Sequence, residues 1–323
     1  MLMHIAMASD DNYVQHMAVA ICSVLENNKD TNLVTFHILD NGIRIENKKR
    51  LLNLVNSYKR EIVFYDFSNM EEKFGFIAEL SEPPLPIVTY ARIFLPEILP
   101  KNICKVLYMD VDMVCAGSLK ELWNTEFKGN LIAGVLDTAP PDTKLKVGLD
   151  KDSVYVNAGM LMINIEQWRR EEITKQLVEF IELHKGKVFH NDQGTINGIM
   201  SNRTLVLHPR YNVLTTYFMI SYKKMVKRFK LEKFYSPGEI RGAIERPIII
   251  HFVVFTTTRP WEENCRHPKQ SLYKYYLNMT EWKNEKLKKD KRSIKNRMVH
   301  LLYEKTPIFL YDNILKLYQK IKN

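Results

Sequence analysis

An apolar stretch, Lys105-Val106-Leu107-Tyr108-Met109, runs directly into Asp110-Val111-Asp112. Side chains at i and i+2 of an extended strand share a face. Two carboxylates leaving a strand end together have the spacing to grip one hard divalent cation. A buried pair of like charges is costly without compensation, so a metal or a basic partner is expected beside them. On these residues alone, two solvated acids at a strand-to-loop junction also account for the pattern.

The elements that must position this pair alternate along the chain. Apolar, β-branched runs at 3–8, 33–39, 61–65, 105–109, 131–136, 160–165 and 247–252 read as strands. Segments 14–27, 46–58, 171–184 and 192–200 carry helical spacing. This alternation predicts an α/β domain with a mostly parallel sheet, in which ligands collect at the carboxyl ends of strands. That rule puts Ser9-Asp10-Asp11-Asn12, Asp110-Val111-Asp112 and His251 on one rim.

The bulk composition narrows the classes. A chain of 323 residues with 46% hydrophobic and 26% charged residues has the make-up of an ordinary globular protein. Four cysteines (Cys22, Cys104, Cys115, Cys265) show no metal-like spacing, so no disulfides and a reducing compartment are expected. No signal peptide and no bilayer-length apolar run are apparent. The formal charge is +10, but from Lys283 to Asn323 twelve Lys/Arg face four Asp/Glu. The basicity therefore belongs to a tail, and the nearly neutral main region argues against a nucleic-acid partner. In that tail Thr306-Pro307 opens a helix in which Leu310, Ile314, Leu317 and Ile321 recur among lysines. A basic amphipathic helix of this kind suits an anionic membrane surface.

Further motifs recur in order: Ala8-Ser9-Asp10-Asp11-Asn12-Tyr13, Thr89-Tyr90-Ala91-Arg92, Asn157-Ala158-Gly159, His190-Asn191-Asp192-Gln193, and His251 followed by Arg259-Pro260-Trp261. With Asp110-Val111-Asp112 the set resembles glycosyltransferase family 8, retaining enzymes of the GT-A fold. It is most similar to bacterial galactosyl- and glucosyltransferases that build lipopolysaccharide, lipooligosaccharide or capsule. The resemblance spans residues 3 to 262. It implies a Rossmann-like nucleotide-sugar-binding domain with a mostly parallel sheet over 1–262, and a small basic, aromatic, helical region over 263–323 for membrane association.

The same resemblance assigns roles. Asp110, Asp112 and His251 would hold Mn²⁺, with Mg²⁺ second because two carboxylates and an imidazole suit Mn²⁺ better. Ala8, Asp10, Asn12 and Tyr13 would hold uracil and ribose, although Asp10 to Asn12 also reads as a cap for the following helix. Arg92, Asp110, Val111, Asp112, Asn157, Ala158, Asp192, Gln193 and Arg259 would contact the rest of a UDP-sugar. Asp192 and Gln193 would lie at the reacting sugar. Gln193 is a poor nucleophile, which favours same-face substitution over a covalent intermediate. The acceptor would be a glycan or glycolipid, met by segments 139–151 and 217–230. The setting would be cytoplasmic, peripheral on the inner face of the membrane. The family pattern after the histidine is shorter, contains Gly and ends in Lys-Pro-Trp. Here the loop is two residues longer, the Gly is absent, and Arg259 stands where Lys is usual. The alternative to a hexosyltransferase is a glycan- or membrane-binding protein of the same fold without turnover.

Overall fold

The computed structural model describes residues 2–30, 33–80, 87–307 and 310. Its strands in chain order are β1 (Leu2–Ser9), β2 (Leu33–Asp40), β3 (Glu61–Asp66), β4 (Lys105–Met109), β5 (Met113–Cys115), β6 (Ile132–Leu136), β7 (Val156–Asn164), β8 (Thr204–Val206), β9 (Val213–Leu214) and β10 (Ile249–His251). Among the described residues seven strands form a main sheet in the order β3-β2-β1-β4-β7-β6-β8. Pairing is parallel except where β7 runs antiparallel to β4 and β6. The near-continuous apolar character of β1, β2 and β4 is that of strands covered on both faces.

Helix α1 (Val14–Asn27) explains how one face is covered. Its sequence is apolar almost all round, and residues on every side of it are buried. A helix with that composition must be enclosed. It packs against β5 and against α2 (Ile45–Ser57), and a helix near the end of the described chain closes its remaining side. Tyr273, Tyr276 and Leu277 of that segment, with Trp282 and Tyr303, share one apolar core with α1 and β1. Residues beyond 262 thus contribute to the same core as those before it. The amphipathic helix expected after Thr306 lies outside the described residues except at Leu310. No helix of the described residues is long and apolar enough to cross a membrane.

Several expected elements take a different form. The strand expected at 247–252 is β10, and it does not join the main sheet. It pairs antiparallel with β5 and parallel with β9 in a separate three-stranded sheet. The strand expected from Met160 begins at Val156, so Asn157-Ala158-Gly159 is strand rather than turn. The helix expected over 171–184 breaks at Glu172, whose φ of 51° separates a short helix from α3 (Ile173–Leu183). Arg92 sits on a 3₁₀ turn, Ile87–Phe94.

Candidate active site

The two aspartates converge by a turn, not by strand alternation. β4 ends at Met109, Val111 and Asp112 turn, and the chain enters β5 of the second sheet. The Asp110 N–H bonds the Gly159 carbonyl at 2.8 Å, which anchors it to β7. His251 pairs across the β10–β5 ladder with Met113, the residue after Asp112. The Phe252 N–H bonds the Asp112 carbonyl at 3.0 Å. His251 Nε2 consequently lies 3.1 Å from Asp112 Oδ1 and 3.9 Å from Asp110 Oδ2. One ligand atom from each residue falls within 4.8 Å of the other two. The opposite ring nitrogen, Nδ1, sits 3.2 Å from Asn212 Oδ1, which leaves Nε2 facing the carboxylates.

Two arginines balance the acids. Arg92 Nη2 donates to Asp110 Oδ1 at 3.1 Å, and its Nε lies 2.6 Å from Asp192 Oδ2. Its Nη1 reaches the Ala158 carbonyl, and its guanidinium lies over the Tyr108 ring. Arg259 Nη1 donates to Asp112 Oδ2 at 2.7 Å. Burial pushes the Asp110 carboxyl up; Arg92 opposes this and the charge of Asp112 adds to it. Burial acts on Asp112 as well, yet His251 and Arg259 hold it below the usual carboxylate range. Burial also lifts Asp192 to about 6 against the pull of Arg92. Carboxylates crowded this way are what a bound cation relieves.

A polar net continues to the far side. α4 (Asn191–Met200) is entered through His190 and Asn191, both left-handed with φ of 63° and 49°. Gly194 permits that entry, because a Cβ there would lie 1.9 Å from the Phe189 carbonyl oxygen. Asp192 and Gln193 are thereby presented from the first turn. Gln193 Oε1 accepts from the Ala158 N–H at 3.0 Å, and its Nε2 donates to Asp137 Oδ2 at 2.8 Å. Asn157 Nδ2 reaches the same Asp137 oxygen at 3.2 Å. Asn157 Oδ1 accepts from Asn212 and from the Gly159 N–H.

These groups open on one cleft of about 680 Å³. The sequence pattern of glycosyl transferase family 8 matches residues 4–265. The chain belongs to this family. It is 28% identical over 285 residues to general stress protein A of Bacillus subtilis strain 168, covering 87% of this chain and 95% of that one. It is 27% identical over 303 residues to a lipopolysaccharide 1,2-glucosyltransferase of Escherichia coli, covering 92% and 84% of the two chains. The structure matches that of the galactosyltransferase LgtC, solved with donor and acceptor sugar analogues, at a TM-score of 0.70 and 28% identity over 86% of this chain and 96% of that chain. The mixed sheet is the GT-A fold.

In this family 8 glycosyltransferase, Arg92, Asp110, Asp112, Asn157, Asp192, Gln193, His251 and Arg259 all line the cleft. Ala158 lies directly beneath it, bonded through both its N–H and carbonyl. Val111 packs against the apolar core. Ala8, Asp10, Asn12 and Tyr13 stand at the end of β1 on the neighbouring rim rather than in the cleft lining. Asp10 Oδ1 accepts from the Asn12 and Tyr13 N–H groups at 3.0 and 3.2 Å, within the turn ahead of α1. The N-cap position of α1 is Tyr13 and receives no side-chain cap, so these residues do not cap the helix as expected. The Tyr13 ring meets Trp261 edge-on at 6.5 Å, and this joins the rim to the Arg259 loop. Of the segments expected to meet an acceptor, Ala139, Pro140, Thr143 and Phe229 line the cleft. Asp137 and Asn212 were not singled out from sequence. Asp137 follows β6 on the same rim, so the strand-end rule would have found it. Asn212 carries no sequence signal.

Proposed function

We propose that this glycosyltransferase moves galactose or glucose from a UDP-sugar to a bacterial surface glycan, in lipopolysaccharide, lipooligosaccharide or capsule, with retention at the anomeric carbon. The observation that carries the reading is the convergence of Asp110, Asp112 and His251 beside Arg259 at one end of a cleft whose other wall holds Asp192 and Gln193. The lipopolysaccharide glucosyltransferase among its relatives supports the acceptor class.

The residues fit a divalent ion. Their donor atoms cluster, Asn212 orients the imidazole, and Gly159 leaves the space that a side chain would fill. When bound, Mn²⁺, or Mg²⁺ as second choice, supplies Lewis-acid stabilisation of the leaving diphosphate. Arg259 brings a guanidinium able to grip phosphate oxygens in two-pronged fashion, which the lysine usual in the family cannot do. Asp192, held by Arg92, accepts hydrogen bonds from hydroxyls of the transferred sugar. Gln193 has both amide atoms engaged, so it serves as a fixed dipole near the anomeric carbon rather than as a nucleophile. In same-face substitution the bond from the anomeric carbon to the phosphate oxygen breaks as the acceptor oxygen bonds to that carbon. The acceptor's proton passes to an oxygen of the departing UDP.

The tail belongs to the same proposal. In the helix Ile294–Lys305, Ile294, Met298, Leu301 and Leu302 are exposed at spacings of four, three and one, among Lys295, Arg297 and Lys305. That face supports a reading of the enzyme as a peripheral protein on the anionic, cytoplasmic surface of the inner membrane. The deciding experiment is UDP release from UDP-galactose and UDP-glucose, with Mn²⁺ and with a chelator. Metal-dependent release from one donor is expected. Neither UDP binding nor release under any condition would overturn the reading.

A further inference from the structure

The loop after His251, which is longer than the family pattern, does not stand alone. A strap from the C-terminal segment runs beside it. The Lys288 N–H bonds the Trp261 carbonyl at 2.9 Å, and the Glu263 N–H bonds the Lys288 carbonyl at 2.9 Å. This makes a parallel bridge between Glu262 and Lys288. Two residues on, the Asp290 carboxylate accepts from Arg292 Nε and Nη2 at 3.0 Å each, and from Asn264 Nδ2 at 3.1 Å. Arg292 Nη1 in turn donates to the Thr256 carbonyl at 3.1 Å. The strap is therefore tied to both ends of the loop that carries Arg259.

Lys288 also reaches across the cleft rim. Its Nζ donates to the Asn12 carbonyl at 3.2 Å and lies 5.5 Å from the centre of the Tyr13 ring. Tyr13 otherwise meets the loop only edge-on at Trp261 among the ring contacts of the described residues. Trp261 is itself fixed by stacking on His16 at 3.7 Å and lies under the Arg259 guanidinium. One residue from the region after residue 262 thus spans the two parts of the rim, its side chain on the turn after β1 and its main chain on the phosphate-end loop.

We infer that the strap from Lys288 to Arg292 sets the spacing between the Asn12–Tyr13 turn and the Arg259–Trp261 loop, and so sets affinity for the uridine diphosphate part of the donor. Lys288 is a positioning residue, acting through Asn12 and Tyr13. The inference rests on the donor reading proposed above. It makes the C-terminal segment part of donor binding as well as of membrane attachment. A membrane that pulls on the tail would act on the nucleotide through this contact.

Two measurements on the full chain test it. Hydrogen exchange of the metal-free protein reads the strap without any nucleotide. Lys288→Met should speed exchange in residues 10–13, Lys288→Arg should not, and Lys286→Met, which removes the same charge two residues away, should not. Calorimetric titration with UDP and Mn²⁺ then reads the coupling. Lys288→Met should raise the Kd about fivefold, with Lys288→Arg within about twofold of wild type and the melting temperature unmoved. Unchanged exchange in Lys288→Met overturns the tie between the strap and the Asn12–Tyr13 turn. Unchanged UDP affinity, or an equal loss in Lys286→Met, overturns its role in donor binding. A wild-type chain that binds no UDP overturns the donor reading and the affinity half of the inference together, and the exchange result then decides the strap by itself.

Discussion

Gly159 lies directly beneath His251: a Cβ at Gly159 would sit 2.3 Å from the imidazole Cε1 and 2.8 Å from Asp110 Oδ2. β7 can pass under the three-group cluster only because this residue has no side chain. Gly159→Ala must displace His251 or Asp110, and overpacking of that kind costs about 1–3 kcal/mol. Mn²⁺ affinity is expected to fall at least about tenfold, the equivalent of about 1.4 kcal/mol, while the protein stays folded. Titration followed by electron paramagnetic resonance reads this directly. Wild-type affinity would mean the ion sits elsewhere.

Asp112→Asn keeps the shape of the side chain and removes its charge. Arg259 loses its carboxylate partner and the cluster loses one anionic ligand. Transfer should drop by at least about a hundredfold, in the range seen when a single stabilising group is removed from an active site. Added Mn²⁺ is also expected to raise the melting temperature of the wild type and to leave that of this variant unmoved. Retained activity would remove Asp112 from the metal assignment.

Arg92 is the cation shared by Asp110 and Asp192, of which Asp192 is buried and Asp110 is partly exposed. Arg92→Met leaves the buried Asp192 and the partly exposed Asp110 without their shared cation. Breaking a buried pair from one side typically costs about 3–5 kcal/mol. Urea denaturation at neutral pH should show a loss of that order, unlike the small change expected for an exposed pair such as Lys175 with Glu179. A loss below about 1 kcal/mol would show that water or rearrangement already screens the pair.

Three imidazoles make stability depend on pH. Burial lowers His16 to about 3, and His37 and His267 to about 4. Unfolded, each takes up a proton near pH 6.5. Folded, each stays neutral until the pH falls well below that. Between about pH 6.5 and 4 the unfolded state binds more protons, so stability declines as the pH drops through that window. Urea midpoints measured at pH 7, 6 and 5 should fall in that order. His267→Asn, whose carbonyl can still accept from the Lys269 N–H, should shallow the slope. A flat profile would contradict neutral burial of these rings.

The parts of this site that were legible in sequence are those where local chemistry and position coincide. Asp110 and Asp112 stand out because an apolar strand ends in charge, whereas Asp192 and Gln193 were legible only through the family resemblance. The α/β alternation likewise follows from the apolar runs. His251 was found, but on the wrong sheet: a three-residue strand such as β10 has no periodicity to say which ladder it joins. The true cause of the Asp110–Asp112 convergence, a turn between two sheets, was equally invisible. Asn and Gly favour turns, so the sequence starts the strand only at residue 160, whereas tertiary packing beside β4 extends it back through Asn157-Ala158-Gly159. Asn212 acts through one hydrogen bond to His251, and nothing local marks it. The role of Lys288 depends on contacts across the length of the chain.

The enclosure of α1 has a consequence for biosynthesis. His16, near its start, is held by Tyr273 Oη at 2.7 Å, a partner 257 residues away. A chain emerging from the ribosome presents this oily helix early, with one side bare until the segment around Tyr273 has been made. During that interval the half-built sheet offers a sticky surface to chaperones and to other nascent chains. Closure of the fold therefore waits for late-synthesised residues, and contacts this distant in sequence form slowly.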